Sequence, residues 1–271
     1  MIPETFDYVR PSTLDEALAA LAEGATPLAG GHSLLPTIKL RLGAPDRLVD
    51  IGRLEELKGI SIEGDELVIG AATRYADVLR SDAVRTEAAL LHSAVATIGD
   101  PQVRNRGTLG GAVAYGDAHG DAPTAVLALE ATVVLRGPNG ERRVAADDFF
   151  LDYFETARAD DELVTAIRIP TGQGRGDYQK FGRREMDWAI IASGVTQRNG
   201  TWRVAITAAG PTPLRARGVE EALASGASNA EASARAGEGL DPTPGLEGSV
   251  EYKLHLACVL TERALEKVRE S

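Results

Sequence analysis

The chain has 271 residues, 44% of them hydrophobic, and its 40 acidic side chains against 29 Lys and Arg give a net charge of −11. That length suggests two domains, and the hydrophobic share is ordinary for a globular core. The acidic balance argues against nucleic acid or an anionic membrane surface as partner, and no apolar run is long enough to cross a bilayer.

The opening Met1-Ile2-Pro3-Glu4 lacks the basic and apolar regions of a signal peptide, so a cytoplasmic chain is expected. Ser12 or Thr13 can cap a helix whose apolar face is Leu14, Ala17, Leu18 and Leu21. A glycine turn then leads into a short predicted helix over 34–42 and a strand over 47–51, closing a small α/β unit near Gly52. Residues 60–62 and 67–69 flank Glu63-Gly64-Asp65 as a hairpin. Helices are predicted over 75–79 and 84–96, the second delivering the chain to another glycine-rich segment. Pro123 suits the first turn of a helix running to Leu129, with Asp121 near its N-cap. A second hairpin pairs 133–135 with 142–144, and 164–169 reads as a strand stopped by Pro170. Gly172, Gly174 and Gly176 mark 171–177 as a linker. Beyond it, Asn199-Gly200 joins strands over 190–197 and 202–208. Short helices over 219–224 and 229–236, a loop over 237–248 and a final helix over about 250–269 complete the chain. The last helix is expected to bury Leu254, Ala257, Cys258, Leu265 and Val268.

Two glycine-rich segments carry the chemistry. The first is Leu28-Ala29-Gly30-Gly31-His32-Ser33-Leu34-Leu35, and the second runs from Thr97-Ile98-Gly99 to Thr108-Leu109-Gly110-Gly111. Bare backbone at such turns can approach a ligand closely, and its N–H groups can converge on phosphate. One glycine pair is an ordinary tight turn, whereas two of them suit a diphosphate with two ends to hold.

These segments are similar to the flavoprotein (medium) subunit of the molybdenum hydroxylases, the carbon monoxide dehydrogenase and xanthine dehydrogenase family. The resemblance rests on Ala29-Gly30-Gly31-His32-Ser33-Leu34-Leu35-Pro36 and on Gln102-Val103-Arg104-Asn105-Arg106-Gly107-Thr108-Leu109-Gly110-Gly111. It extends through Gly116-Asp117-Ala118-His119-Gly120-Asp121 and Leu163-Val164-Thr165-Ala166-Ile167-Arg168-Ile169-Pro170 to nearly the whole chain. It implies an α+β fold: an FAD-binding region of the vanillyl-alcohol oxidase type over 1–174, in subdomains of about 1–52 and 53–174, then an antiparallel α+β domain over 175–271. It also implies non-covalent FAD relaying electrons to an external acceptor, with a large molybdenum-cofactor subunit and a small 2Fe–2S subunit as partners. Any membrane association would come through the acceptor only.

Site residues follow in the same terms. Leu28, Ala29, Gly30, Gly31, His32, Ser33, Leu34 and Leu35 form the first turn, wrapping diphosphate and ribitol. Ser33 is expected to reach a phosphate and to cap the next helix. His32 is a phosphate donor or, by analogy with related folds, a covalent flavin link. Thr108, Leu109, Gly110, Gly111 and Ala112 form the second turn, where Ala112 replaces the serine or asparagine frequent in the family. Ile98 matches a residue packing on the isoalloxazine, and Val164 one lining the cleft. Asp117 and Asp121 read either as helix-cap acids or, by resemblance, as cofactor contacts, Asp121 above all. Lys180 reads either as an edge charge or as the cation beside the flavin's pyrimidine end. The run Arg183-Arg184-Glu185 faces partner subunits or is a solvated turn.

Other chemistries leave no trace. No G-x-G-x-x-G fingerprint or P-loop is present, and His32, His92, His119 and His255 lack metal-ligand spacing. The single cysteine, Cys258, cannot hold an iron–sulfur cluster. A stand-alone flavin oxidase or reductase and a nucleotide-binding module without redox chemistry are the competing readings.

Overall fold

The computed structural model describes residues 4–270; Met1, Ile2, Pro3 and Ser271, which enter the expectations on signal peptide and domain limits, lie outside them. The first unit is β1 (Asp7–Val9), α1 (Leu14–Ala22), β2 (Thr26–Leu28), α2 (Leu34–Lys39) and β3 (Arg47–Asp50), with a parallel sheet in the order β1-β3-β2. Thr13 caps α1, its hydroxyl accepting the Glu16 N–H, and Leu14, Ala17 and Leu21 bury while Leu18 is half-buried. Helix α2 stops earlier than expected because Arg41 takes a left-handed φ of 57°.

The second unit builds an antiparallel sheet in the order β4-β5-β10-β6-β7. Its elements are β4 (Ile60–Glu63), β5 (Glu66–Gly70), α3 (Tyr75–Arg80), α4 (Asp82–Glu87), α5 (Ala89–Ala96), α6 (Pro101–Arg104), α7 (Leu109–Tyr115), α8 (Asp121–Ala128), β6 (Thr132–Gly137), β7 (Gly140–Ala145), α9 (Ala146–Phe149), the hairpin β8 (Phe150–Asp152) and β9 (Glu155–Thr156), and β10 (Leu163–Pro170). The single helix expected over 84–96 is two. Ala88 leaves the helical region at φ −145°, ψ 55°, and the Ala89 N–H instead donates to the Gln173 carbonyl at 3.2 Å. A tertiary hydrogen bond has outweighed local helix propensity.

The third unit is an antiparallel sheet of β11 (Arg175–Phe181), β12 (Ile191–Arg198), β13 (Thr201–Thr207) and β14 (Leu214–Arg215), followed by α10 (Arg217–Ala224), α11 (Asn229–Ser233) and α12 (Val250–Glu270). Asn199 and Gly200 both have positive φ, 50° and 80°, as a two-residue hairpin turn needs. One face of this sheet packs under α10, α11 and α12, around Ile191, Val195, Val204 and Leu260. The other shares one core with the second unit, where Tyr178, Ala192 and Ala205 join Leu90, Val126 and Ile167.

Two expectations need correction. The linker expected over 171–177 is shorter and tied down: Gln173 is buried, its Nε2 donates to the Leu129 and Pro170 carbonyls, and β11 already begins at Arg175. In α12, Leu254 and Cys258 are half-buried, and the core stripe runs through Lys253, Leu256, Ala257, Leu260 and Ala264. Lys253 reaches the Thr243 carbonyl at 3.0 Å, which explains how a lysine sits on the inner face. Among the described residues, no helix is long and apolar enough to cross a membrane.

Candidate functional site

The two glycine segments are brought together backbone to backbone. A Cβ on Gly30 would meet the Arg106 carbonyl oxygen and come within 2.8 Å of Gly107 Cα, so only glycine fits at that crossing. Between and beyond them lies a cavity of about 530 Å³ lined from all three units.

The two turns offer it different things. At residues 30–33 the chain is neither helix nor strand, Gly31 has φ +77°, and no backbone N–H of Gly30, Gly31, His32 or Ser33 donates a hydrogen bond among the described residues. Ser33 makes no side-chain cap to α2, contrary to expectation, so its hydroxyl is free as well. Successive unpaired N–H groups around a left-handed glycine are an anion-binding concavity. The second turn has no such surplus. Leu109 N–H goes to Thr73 O, Gly110 N–H to Ala71 O, Gly111 N–H to Thr108 Oγ1 and Ala112 N–H to Thr108 O. Thr108 caps α7 in doing so. Of this turn's five N–H groups only that of Thr108 is left without a partner among the described residues, so the turn offers the cavity one backbone donor where the first offers four.

Of the residues named from sequence, Ala29, Gly30, Gly31, His32, Ser33, Leu34, Ile98, Thr108, Gly110, Gly111, Ala112, Asp117, Asp121, Val164 and Lys180 line the cavity. Leu28, Leu35 and Leu109 do not. Leu35 and Leu28 turn beneath Gly31, within 2.8 and 3.4 Å of where its Cβ would be, and Leu109 is fully buried in the core. Hydrophobic side chains flanking a glycine turn anchor it from behind.

Asp121 and Lys180 form the charged feature of the wall. Lys180 Nζ donates to Asp121 Oδ2 at 2.7 Å and lies 3.4 Å from the Thr97 carbonyl, and Tyr178 OH donates to Asp121 Oδ1 at 2.8 Å. The side chains of Lys180 and Asp121 are only 9% and 4% exposed, so Lys180 is no edge charge and Asp121 no solvated cap. The pair joins α8 to β11 across the second and third units. Burial pushes the Asp121 carboxyl above its usual range against the pull of Lys180. Burial, reinforced by the Asp121 charge, also raises the phenols of Tyr178 and Tyr75. Asp117 accepts the His119 N–H at 2.9 Å.

Sequence reasoning missed Tyr75, Tyr115, Phe154, Arg158, Met186 and Trp188, all on the cavity wall. Tyr115 and Phe154 meet with ring centroids 5.0 Å apart. Met186 and Trp188, 62% and 61% exposed, had a readable signal: two large apolar side chains in an otherwise charged turn.

The cavity is matched by likeness to known proteins. Residues 4–172 match the FAD binding domain in molybdopterin dehydrogenase, and residues 177–268 the CO dehydrogenase flavoprotein C-terminal domain. The chain is 41% identical to the carbon monoxide dehydrogenase medium chain of Hydrogenophaga pseudoflava over 98% of this chain and 97% of that one. It is 37% identical to the glyceraldehyde dehydrogenase medium chain of Sulfolobus acidocaldarius, over 99% and 100%. Among solved structures, carbon monoxide dehydrogenase from Hydrogenophaga pseudoflava superposes with a TM-score of 0.94 at 40% identity, covering 100% of this chain and 99% of that one. Quinoline 2-oxidoreductase from Pseudomonas putida 86 gives 0.92 at 29% identity over the same shares. A donor-rich turn, a cavity of cofactor size and full-length likeness agree, and the chain belongs to the FAD-binding flavoprotein family of the molybdopterin dehydrogenases.

Proposed function

We propose that this chain is the electron-relay subunit of a cytoplasmic molybdenum hydroxylase, assembled with a large molybdenum-cofactor subunit and a small 2Fe–2S subunit. The observation that carries the reading is the run of unpaired N–H donors at residues 30–33 opening on the cavity. Those donors and the Ser33 hydroxyl would hold the diphosphate of FAD, and the aliphatic Ile98 and Val164 would wall its ring system. Bound FAD supplies reversible electron storage between the partner's clusters and an acceptor.

The chain's own groups orient and shield. Lys180 holds a positive charge at the cavity wall, and Asp121 fixes its position and offsets part of that charge. Tyr178 fixes Asp121 in turn. The 1–174 and 175–271 division fits this reading, with the cofactor between a binding region and a domain supplying Lys180.

The test is metal and flavin analysis of the complex purified through this chain. Molybdenum, iron and acid-releasable FAD together, with no substrate oxidation by the chain alone, are expected. Substrate turnover by the chain free of both metals would replace this reading with a stand-alone flavoenzyme.

A further inference from the structure

The loop 117–120 between α7 and α8 is neither helix nor strand, yet Asp117 and Gly120 line the cavity from it, beside Asp121. Within the loop, Asp117 accepts the His119 N–H through Oδ1 at 2.9 Å and the Gly120 N–H through its carbonyl at 2.9 Å. Among the described residues, the hydrogen bonds that reach 117–120 from beyond α7 and α8 both come from the third unit. The hydroxyl of Thr207, the last residue of β13, donates to the Ala118 carbonyl at 2.7 Å, and the Ala208 N–H donates to the same oxygen at 2.8 Å. Thr207, Ala208 and Ala118 are all buried. Two donors on one carbonyl fill both of its lone pairs. Ala208 reaches its place with φ 61°, in the left-handed region that a residue with a Cβ enters only at a cost. A backbone held in that way is over-determined by its surroundings, and such positions cluster at ligand sites.

The carbonyl of Ala118 and the N–H of His119 are two sides of one planar peptide. Fixing the carbonyl from β13 therefore aims the N–H at Asp117 Oδ1, and a continuous chain of hydrogen bonds runs from the Thr207 hydroxyl to the Asp117 carboxylate. The far oxygen of that carboxylate is open. The Asp117 side chain is 16% exposed, His119 Nδ1 lies 3.6 Å from Oδ1, and Oδ2 has no hydrogen-bond partner among the described residues. Asp121 beside it has both oxygens engaged, by Tyr178 and Lys180. An open carboxylate oxygen on a cavity wall accepts from a hydroxyl.

We propose that Thr207 is a positioning residue of the cofactor wall, acting through the 118–119 peptide to hold Asp117 where its Oδ2 accepts a hydroxyl of the bound cofactor. The proposal rests on the FAD reading and gives the third unit a second task at the cavity besides Lys180. Thr207 itself does not line the cavity.

The test titrates the FAD-free full chain with FAD by fluorescence quenching, in wild type, Thr207→Val, Thr207→Ser, Asp117→Ala and Thr207→Val/Asp117→Ala. Thr207→Val should weaken FAD binding about fivefold and Asp117→Ala about tenfold or more, the scale of a neutral and of a charged hydrogen bond. Thr207→Ser keeps the hydroxyl and should bind within about twofold of wild type. With Asp117 gone Thr207 has nothing left to aim, so the double variant should bind FAD as Asp117→Ala does. Unchanged affinity in Thr207→Val, a Thr207→Ser as weak as Thr207→Val, or losses that multiply in the double variant overturn the proposal. Urea unfolding of the FAD-free variants reports their folding; if Thr207→Val does not fold, Thr207→Ala takes its place in the cycle with the same expected outcomes. A wild-type chain that takes up no FAD overturns the cofactor reading itself, whereas equal affinity in wild type and Thr207→Val overturns only the positioning.

Discussion

Gly30 lies flat against the backbone of Arg106, with no space for a side chain between them. The contact explains why both segments keep their glycines: the first turn must pass beneath the second before either can face a ligand. Gly110 is held the same way against Ala71, whose Cα lies 2.6 Å from where a Cβ on Gly110 would be. Gly110→Ala should therefore destabilise the FAD-free chain by about 1–3 kcal/mol through overpacking. Urea unfolding of apoprotein measures this. An unchanged midpoint with lost flavin binding would return Gly110 to a purely ligand-facing role.

Ser33 is the opposite case. Its hydroxyl is free and α2 does not use it. Ser33→Ala should leave unfolding of the FAD-free chain unchanged and weaken FAD affinity about tenfold, the loss of one hydrogen bond to a charged group. Titration of apoprotein with FAD by fluorescence quenching checks both halves on one preparation.

Lys180→Met strips a buried carboxylate of its counter-charge, which should cost about 3–5 kcal/mol. Lys180→Met/Asp121→Asn should recover much of it. The single variant should also lower the flavin reduction potential, since a cation beside the ring favours added negative charge. A potential equal to wild type would mean that Asp121 cancels the lysine charge completely.

The same pair predicts a pH dependence. Burial raises the Asp121 carboxyl, and Lys180 opposes the rise. Without Lys180 the carboxyl goes higher still. A raised folded-state value favours the protonated form, so its contribution is present at acid pH and lost as pH rises through that value. Lys180→Met should thus weaken progressively from mildly acid to neutral buffer, while the double variant should show no such slope. Urea midpoints across that range decide it.

Glu162 has the opposite sign. Arg142 donates to it through Nε at 2.6 Å and Nη2 at 2.7 Å, and this holds its carboxyl below the usual range. That contribution is present above the ordinary carboxylate value and lost as pH falls through the lowered one. Arg142→Met should cost roughly 1 kcal/mol at neutral pH, the scale of a partly exposed pair, and progressively less in acid. A cost independent of pH would assign the loss to packing.

Most elements of the fold were legible because local rules decide them. Thr13 caps a helix, Asn199-Gly200 turns a hairpin, and turn residues at 63–65 and 137–140 mark the hairpins that contain β5 and β6. The exceptions arise where distant contacts outweigh propensity, as at Ala88, which breaks a helix beside Gln173, and at Gln173 itself, drawn into the core from an apparent linker. The site was legible as far as its glycines. Which turn keeps free donors was not, because that depends on Thr73 and Ala71 reaching the second turn from an unrelated strand end. Nor did any spacing rule place Trp188 or Phe154 at the cavity, since both arrive on turns aimed by the units that carry them.

The cavity wall draws on residues from Thr26 near one end of the chain to Lys180, Met186 and Trp188 past its middle. During synthesis the donor turn at 30–33 and most of the wall leave the ribosome before β11 brings Lys180 and the turn after it brings Met186 and Trp188. Enclosure of a cofactor is therefore completed only after β11 has emerged. Any truncation upstream of β11 should yield a chain that displays the phosphate-holding turn and yet cannot enclose what it holds.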